Sequence, residues 1–167
     1  MADPIVIAKS RELFKLVQDK LNTEILTLDQ KERISVEFAA TIEDFKPKSA
    51  RGGLGILFNG KNYVKDPRIS GPSMIMKDDT FVGIILVAKF HTIQNQPIEK
   101  WPMMPMEYCE LAVDALSGIE VWNKRPESEG KIYPVRIELI DETAGEWKYL
   151  ISFGVPLDFI EKELREN

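Results

Sequence analysis

The run TFVGIILVAKFHTI (Thr80–Ile93) carries apolar residues on both of its alternating faces. Side chains of a strand alternate between two faces. A strand apolar on both must therefore lie inside a sheet, with neighbours at its sides and cover above and below. Candidate neighbours stand on either side of it in the chain. Upstream, from Arg33 onward, Ile34, Val36 and Phe38 alternate with Ser35, Glu37 and Ala39, and a second run covers Leu54–Phe58. Downstream, Val135, Ile137 and Leu139 form one run, and Trp147, Tyr149, Ile151 and Phe153 form another. DETAGE between them supplies a glycine for a tight reversal, which is the pattern of a hairpin.

Cover for the sheet comes from segments with helical spacing. Asp3-Pro4 has the form of a cap followed by proline at the first helical position, and Leu13, Leu16, Val17 and Leu21 follow, predicting a helix over Pro4–Leu21. Tyr108, Leu111, Ala112 and Ala115 share one face over Pro105–Leu116, and Ser117-Gly118 places a glycine where a left-handed C-terminal cap is wanted. After Pro156, LDFIEKELREN predicts a short, charge-rich terminal helix. The order helix, three strands, helix, two strands, helix describes an α+β fold, with a mostly antiparallel sheet of about four to five strands and helices packed on one face. A length of 167 residues, 44% hydrophobic and 29% charged, fits one domain over 1–167 with a core of its own. Two connections are long. One lies near 59–79, and the other, near 92–104, is broken by Pro97, Pro102 and Pro105.

Charge and residue counts narrow the function classes. The net charge is −5 and the cations are scattered among acids, which is not the basic stripe of a nucleic-acid binder. Cys109 is the single cysteine, so neither an intrachain disulfide nor a multi-cysteine metal site can form. His91 is the one histidine, so a nucleophilic pair would have to join it to Cys109, yet one stands at a strand end and the other in a helix pattern. Glu37 with Asp44-Phe45-Lys46 has the residue types that hold Mg²⁺ and assist an attacking water, but such sets arise by chance in a chain this charged. The glycines of RGGLGILFNG precede no helix and so form no phosphate-binding loop. The expectation is a non-enzyme with no catalytic residues, no metal and no cofactor. The start MADPIVIAKSRELFKLV has too short an apolar run for a secretory signal or a membrane span, which predicts cytoplasmic synthesis and no membrane partner.

LGILFNG, ALSGIEV, KIYPV and the final EWKYLISFGVP, in that order, resemble the tail-terminator or tail-completion proteins of Mu-like phages and related contractile-tail particles. The resemblance runs from about Ile34 to Pro156, and departs from the family at Asn59–Asp79 and at the methionine-rich WPMMPM. It implies a structural virion subunit that caps the end of a tail tube, limits tail length and joins tail to neck. Such a subunit acts as a closed ring of about six copies, a hexamer on the tail, which needs two different complementary patches on each copy. The implied partners are further copies of the chain, the tail tube protein, the neck or connector, and sheath proteins. The implied location is the virion tail, assembled in the host bacterial cytoplasm. The alternative from another class is a monomeric α+β binding or regulatory module.

Two segments are the candidate interface. Loops as long as Leu57–Asp79 are uncommon and are usually functional or disordered. Its Tyr63, Ile69, Met74 and Ile75 are too widely spaced to serve one local face, and Lys61, Lys65 and Arg68 offer polar rim contacts, so it is expected to act as an assembly arm. A solvated extension folding back on its own domain is the bland alternative. Trp101, Met103 and Met104 are soft, adaptable side chains of the kind enriched at interfaces, and are equally suited to covering a sheet edge.

Overall fold

The computed structural model describes residues 5–6, 10–49, 51–62, 81–91, 103–122, 130–143 and 146–155. In chain order these form β1 (Ile5–Val6), α1 (Ser10–Ile25), a 3-10 turn (Gln30–Glu32), β2 (Ser35–Phe38), β3 (Gly52–Asn62) and β4 (Phe81–His91). Then follow α2 (Pro105–Leu116), β5 (Glu120–Trp122), β6 (Gly130–Lys131), β7 (Tyr133–Thr143) and β8 (Glu146–Val155). The main sheet has five strands in the order β2-β3-β4-β8-β7, and β1-β5-β6 make a small second sheet. Every pairing in the main sheet is antiparallel except β2 with β3, which run parallel. The fold is α+β, and β4, the strand apolar on both faces, stands in the middle of the five.

One face of the sheet carries the helices. Leu13, Val17, Leu21 and Ile25 of α1 recur every fourth residue and are buried, as are Tyr108, Cys109, Ala112 and Leu116 of α2. They meet Leu54 and Ile56 of β3, Leu86 and Phe90 of β4, and Ile151 and Phe153 of β8 in one cluster. Phe90 stacks on Tyr108 with ring centroids 5.1 Å apart, and the Tyr108 hydroxyl donates to the Glu32 carbonyl, tying α2 to the turn after α1. Burial holds the Tyr108 phenol up at about 12. Gly118 follows α2 with φ +82, the left-handed cap that its position predicts.

The opposite face of β4 is buried too, with Ile85 and Val87 alternating with Ile84 and Leu86. Part of its cover is the connection between the parallel strands β2 and β3, because such strands cannot be joined by a hairpin and the chain must cross the sheet. Phe45 of this crossover is buried, and a side chain at Gly55 would lie 2.9 Å from both the Phe45 ring and Val87. Gly55 is therefore glycine for close approach. Lys89 fastens the crossover from below: its ammonium donates to the Phe45 carbonyl at 2.7 Å and the Glu43 carbonyl at 3.1 Å. Burial, and secondarily Lys148, lowers its pKa from the ordinary value.

Several expectations need correction. The first helix spans Ser10–Ile25, not Pro4–Leu21, because Ile5 and Val6 are spent on β1, pairing parallel with Val121 and Trp122 of β5. Ser10 is itself a residue type favoured at helix starts, and the buried spacing runs on to Ile25. The strand expected at Leu54–Phe58 is Gly52–Asn62, so Leu57–Asn62 belong to β3 and not to the arm. The strands β5 and β6 were not expected, being two or three residues long and too short to show any period. The segments 63–80, 92–102 and 156–167 lie outside the described residues, and the terminal helix expected after Pro156 falls in the last of these.

Candidate functional site

The most exposed apolar structure among the described residues is the outer strand β7. Its residues pair with β8 on one side, from Tyr133 with Gly154 to Thr143 with Glu146, and among the described residues no strand pairs with its other side. An edge of this kind presents unpaired backbone donors and acceptors. Tyr133, Val135, Leu139 and Ile140 are 41%, 58%, 49% and 39% exposed, an apolar load unusual for a strand that meets only water. The pairing skips at Val135 and again at Ile140, so a regular stretch, Arg136–Leu139, lies between two bulges. Arg136 and Glu138 project from it on the face away from α2, with Arg136 Nε 3.7 Å from Glu138 Oε2 and both side chains largely exposed.

The spacing of Val135, Ile137 and Leu139 makes β7 a strand, but does not by itself place it at the margin of the sheet. A signal was present in Pro134. Proline cannot donate to a ladder, so its place within a strand run confines that strand to the edge of a sheet. At the other edge β2 is only four residues long, and Phe38 at its end is 55% exposed while touching Phe14 edge-on at 5.0 Å. The two margins of the sheet are thus unlike in length and in chemistry.

Of the interface residues named from the sequence, Tyr63, Lys65, Arg68, Met74, Ile75 and Trp101 lie outside the described residues. Met103 is half-buried and packs against the core cluster, and Met104 opens α2. The Met104 N–H donates to Glu107 Oε1 and its carbonyl accepts from the Glu107 N–H, both at 3.0 Å, which satisfies the first turn. The register of β3 with β4 bears on the arm directly. Asn62 pairs with Phe81, so residues 63–80 join two directly opposed positions that a turn of about two to five residues would connect. The topology of the sheet does not require the extra length.

No family model matches the chain, and no curated protein aligns with it. The chemistry must be read from the residues themselves. Cys109 is fully buried under α2, and burial, with a smaller contribution from Glu110, pushes its thiol up to about 12, so it is not a thiolate at neutral pH. His91 is exposed at the end of β4, on the face of the sheet opposite α2, so the sheet separates it from Cys109. Glu37 Oε1 accepts the Lys48 backbone N–H at 2.9 Å, and Phe45 between Asp44 and Lys46 is committed to packing. Among the described residues no group of three or more histidine, cysteine, aspartate or glutamate side chains is placed to hold a metal ion. No helix among them is long and apolar enough to cross a membrane.

Proposed function

We propose that the chain is a structural subunit of a phage or phage-like contractile tail, capping the end of the tail tube in a closed ring, limiting its length and joining it to the neck. The observation that carries the reading is the long, exposed, apolar edge β7, set against the short, different margin at β2 with its exposed Phe38. A ring is closed by head-to-tail contact between two unlike patches of one subunit, and unlike sheet margins are a natural source of them. The resemblance of LGILFNG, ALSGIEV, KIYPV and EWKYLISFGVP to tail terminators gives that surface its context. Its partners are further copies of itself, tube protein, and neck or sheath proteins.

Light scattering on the purified chain, with and without tube protein, tests the reading. Growth to discrete oligomers on adding tube protein is expected. A monomer at every concentration that ignores tube protein would favour the binding module.

The arm contributes to the same assembly. Replacing Tyr63–Lys77 by a few glycine and serine residues leaves the Asn62–Phe81 pairing intact, so the midpoint of thermal unfolding should move by less than about 4 °C, the shift of roughly 1 kcal/mol in a domain of this size. Ring formation or tail joining should be lost. Loss of the fold would mean that the segment packs on its own domain, and intact assembly that it is a passive connection.

A further inference from the structure

We propose that β7 is a self-complementary edge through which two copies of this chain pair as an antiparallel, two-fold dimer centred on Ile137. The inference starts from symmetry. Two antiparallel edge strands related by a two-fold axis must have that axis perpendicular to the sheet, so residues directly opposite each other share a face and the axis passes level with a residue. Bulges at Val135 and Ile140 confine regular pairing to Arg136–Leu139, and the charges within it select the centre.

An axis at Arg136 sets that guanidinium opposite its own copy, an axis at Glu138 sets two carboxylates together, and an axis at Leu139 sets Glu138 opposite the bulged Ile140. Like charges directly opposed across strands are unfavourable. An axis at Ile137 instead sets Arg136 opposite Glu138 of the partner subunit and Glu138 opposite the partner's Arg136. Both charges are then satisfied twice over, on the face away from α2. The same register sets Ile137, half-buried against the core, beside the partner's Ile137 on the face that carries the helices, and brings exposed Leu139 to the end of the regular stretch of the partner strand. Arg136 and Glu138 are already on one face 3.7 Å apart, so neither has to change face to make the new pairs.

The two five-stranded sheets become one continuous sheet with both helix layers on the same side. The regular stretch is short, so the dimer is reversible and of the transient class. This pairing stands apart from the tail reading. One consequence rests on that reading: a subunit paired through β7 withholds that edge from the ring, so dimerisation holds subunits back from closing before a tube end is present.

The test is sedimentation velocity of the full chain over a concentration series, with R136E, E138R, the double variant R136E/E138R, and an equimolar mixture of the two single variants. The wild type should pass reversibly from monomer to dimer. Each single variant opposes like charges at two symmetric positions and should associate at least about tenfold more weakly. The double variant should recover, and so should the mixture, because one chain then carries two acids and the other two bases across the axis. Both side chains are exposed, so the unfolding midpoint should be unchanged. As a second readout, those backbone amides of Arg136–Leu139 that point away from β8 should exchange hydrogen more slowly as wild-type concentration rises.

A wild type that is monomeric throughout, single variants that associate normally, or a mixture that fails to recover would each overturn the pairing. A closed ring without a dimer would overturn the pairing and leave the tail reading standing. A dimer with this charge pattern in a chain whose loss leaves tails normal would uphold the pairing and remove the tail reading.

Discussion

Ile85→Asp is expected to abolish cooperative folding. Ile85 lies on the middle strand of the sheet, between Leu57 of β3 and Ser152 of β8, and is 8% exposed on the face away from the helices. A carboxylate there has no cation opposite it in the register and loses its water. Such burial of an unpaired charge belongs to the most damaging class of single substitutions, at about 4 kcal/mol or more. Against a total stability of roughly 5–15 kcal/mol this removes between about a quarter and most of the margin. Ile85→Val, which removes one methylene from the same place, should cost only about 1 kcal/mol and serves as the control. Chemical denaturation followed by circular dichroism measures both. A soluble Ile85→Asp protein with a cooperative transition close to that of the wild type would mean that this face of β4 is not buried.

That face shows why the fold was largely legible in the sequence. A run whose two alternating faces are both largely apolar belongs at the centre of a sheet, and TFVGIILVAKFHTI is such a run, so the middle strand and its need for cover on both sides followed. The helix α2 was equally plain, bounded by Pro105 at its start and Gly118 past its end. What failed were features that local pattern does not encode. A parallel pairing of β2 with β3 is a tertiary choice, and the crossover residue that makes it possible, Phe45, sits in a stretch with no period at all. Ile5 and Val6 were assigned to a helix because Asp3-Pro4 is a good start signal, yet their pairing with Val121 and Trp122 prevailed.

The exposed edge was less legible. In the sequence, apolar residues such as Tyr63 and Met74 stand out because they fall in a long connection without period. The edge β7 was hidden because Val135, Ile137 and Leu139 look like core residues of an ordinary strand. With β7 outermost in the strand order, Val135 and Leu139 are exposed while Ile137 stays half-buried against the core. Burial depends on what lies next to a strand, and that neighbour is encoded elsewhere in the chain.

The largest functional effect is expected from removing the chain altogether. A tube of identical subunits has no intrinsic stopping length, so growth ends only when something occupies the terminal surface. If this chain is that cap, tails assembled without it should lose their defined length and fail to join heads. The direct measurement is tail length by electron microscopy of particles assembled in its absence, with and without the chain supplied in trans. The account predicts a broad distribution extending well beyond the normal length, returned to a single narrow peak when the chain is restored. Tails of normal, uniform length in particles that lack it would contradict the account.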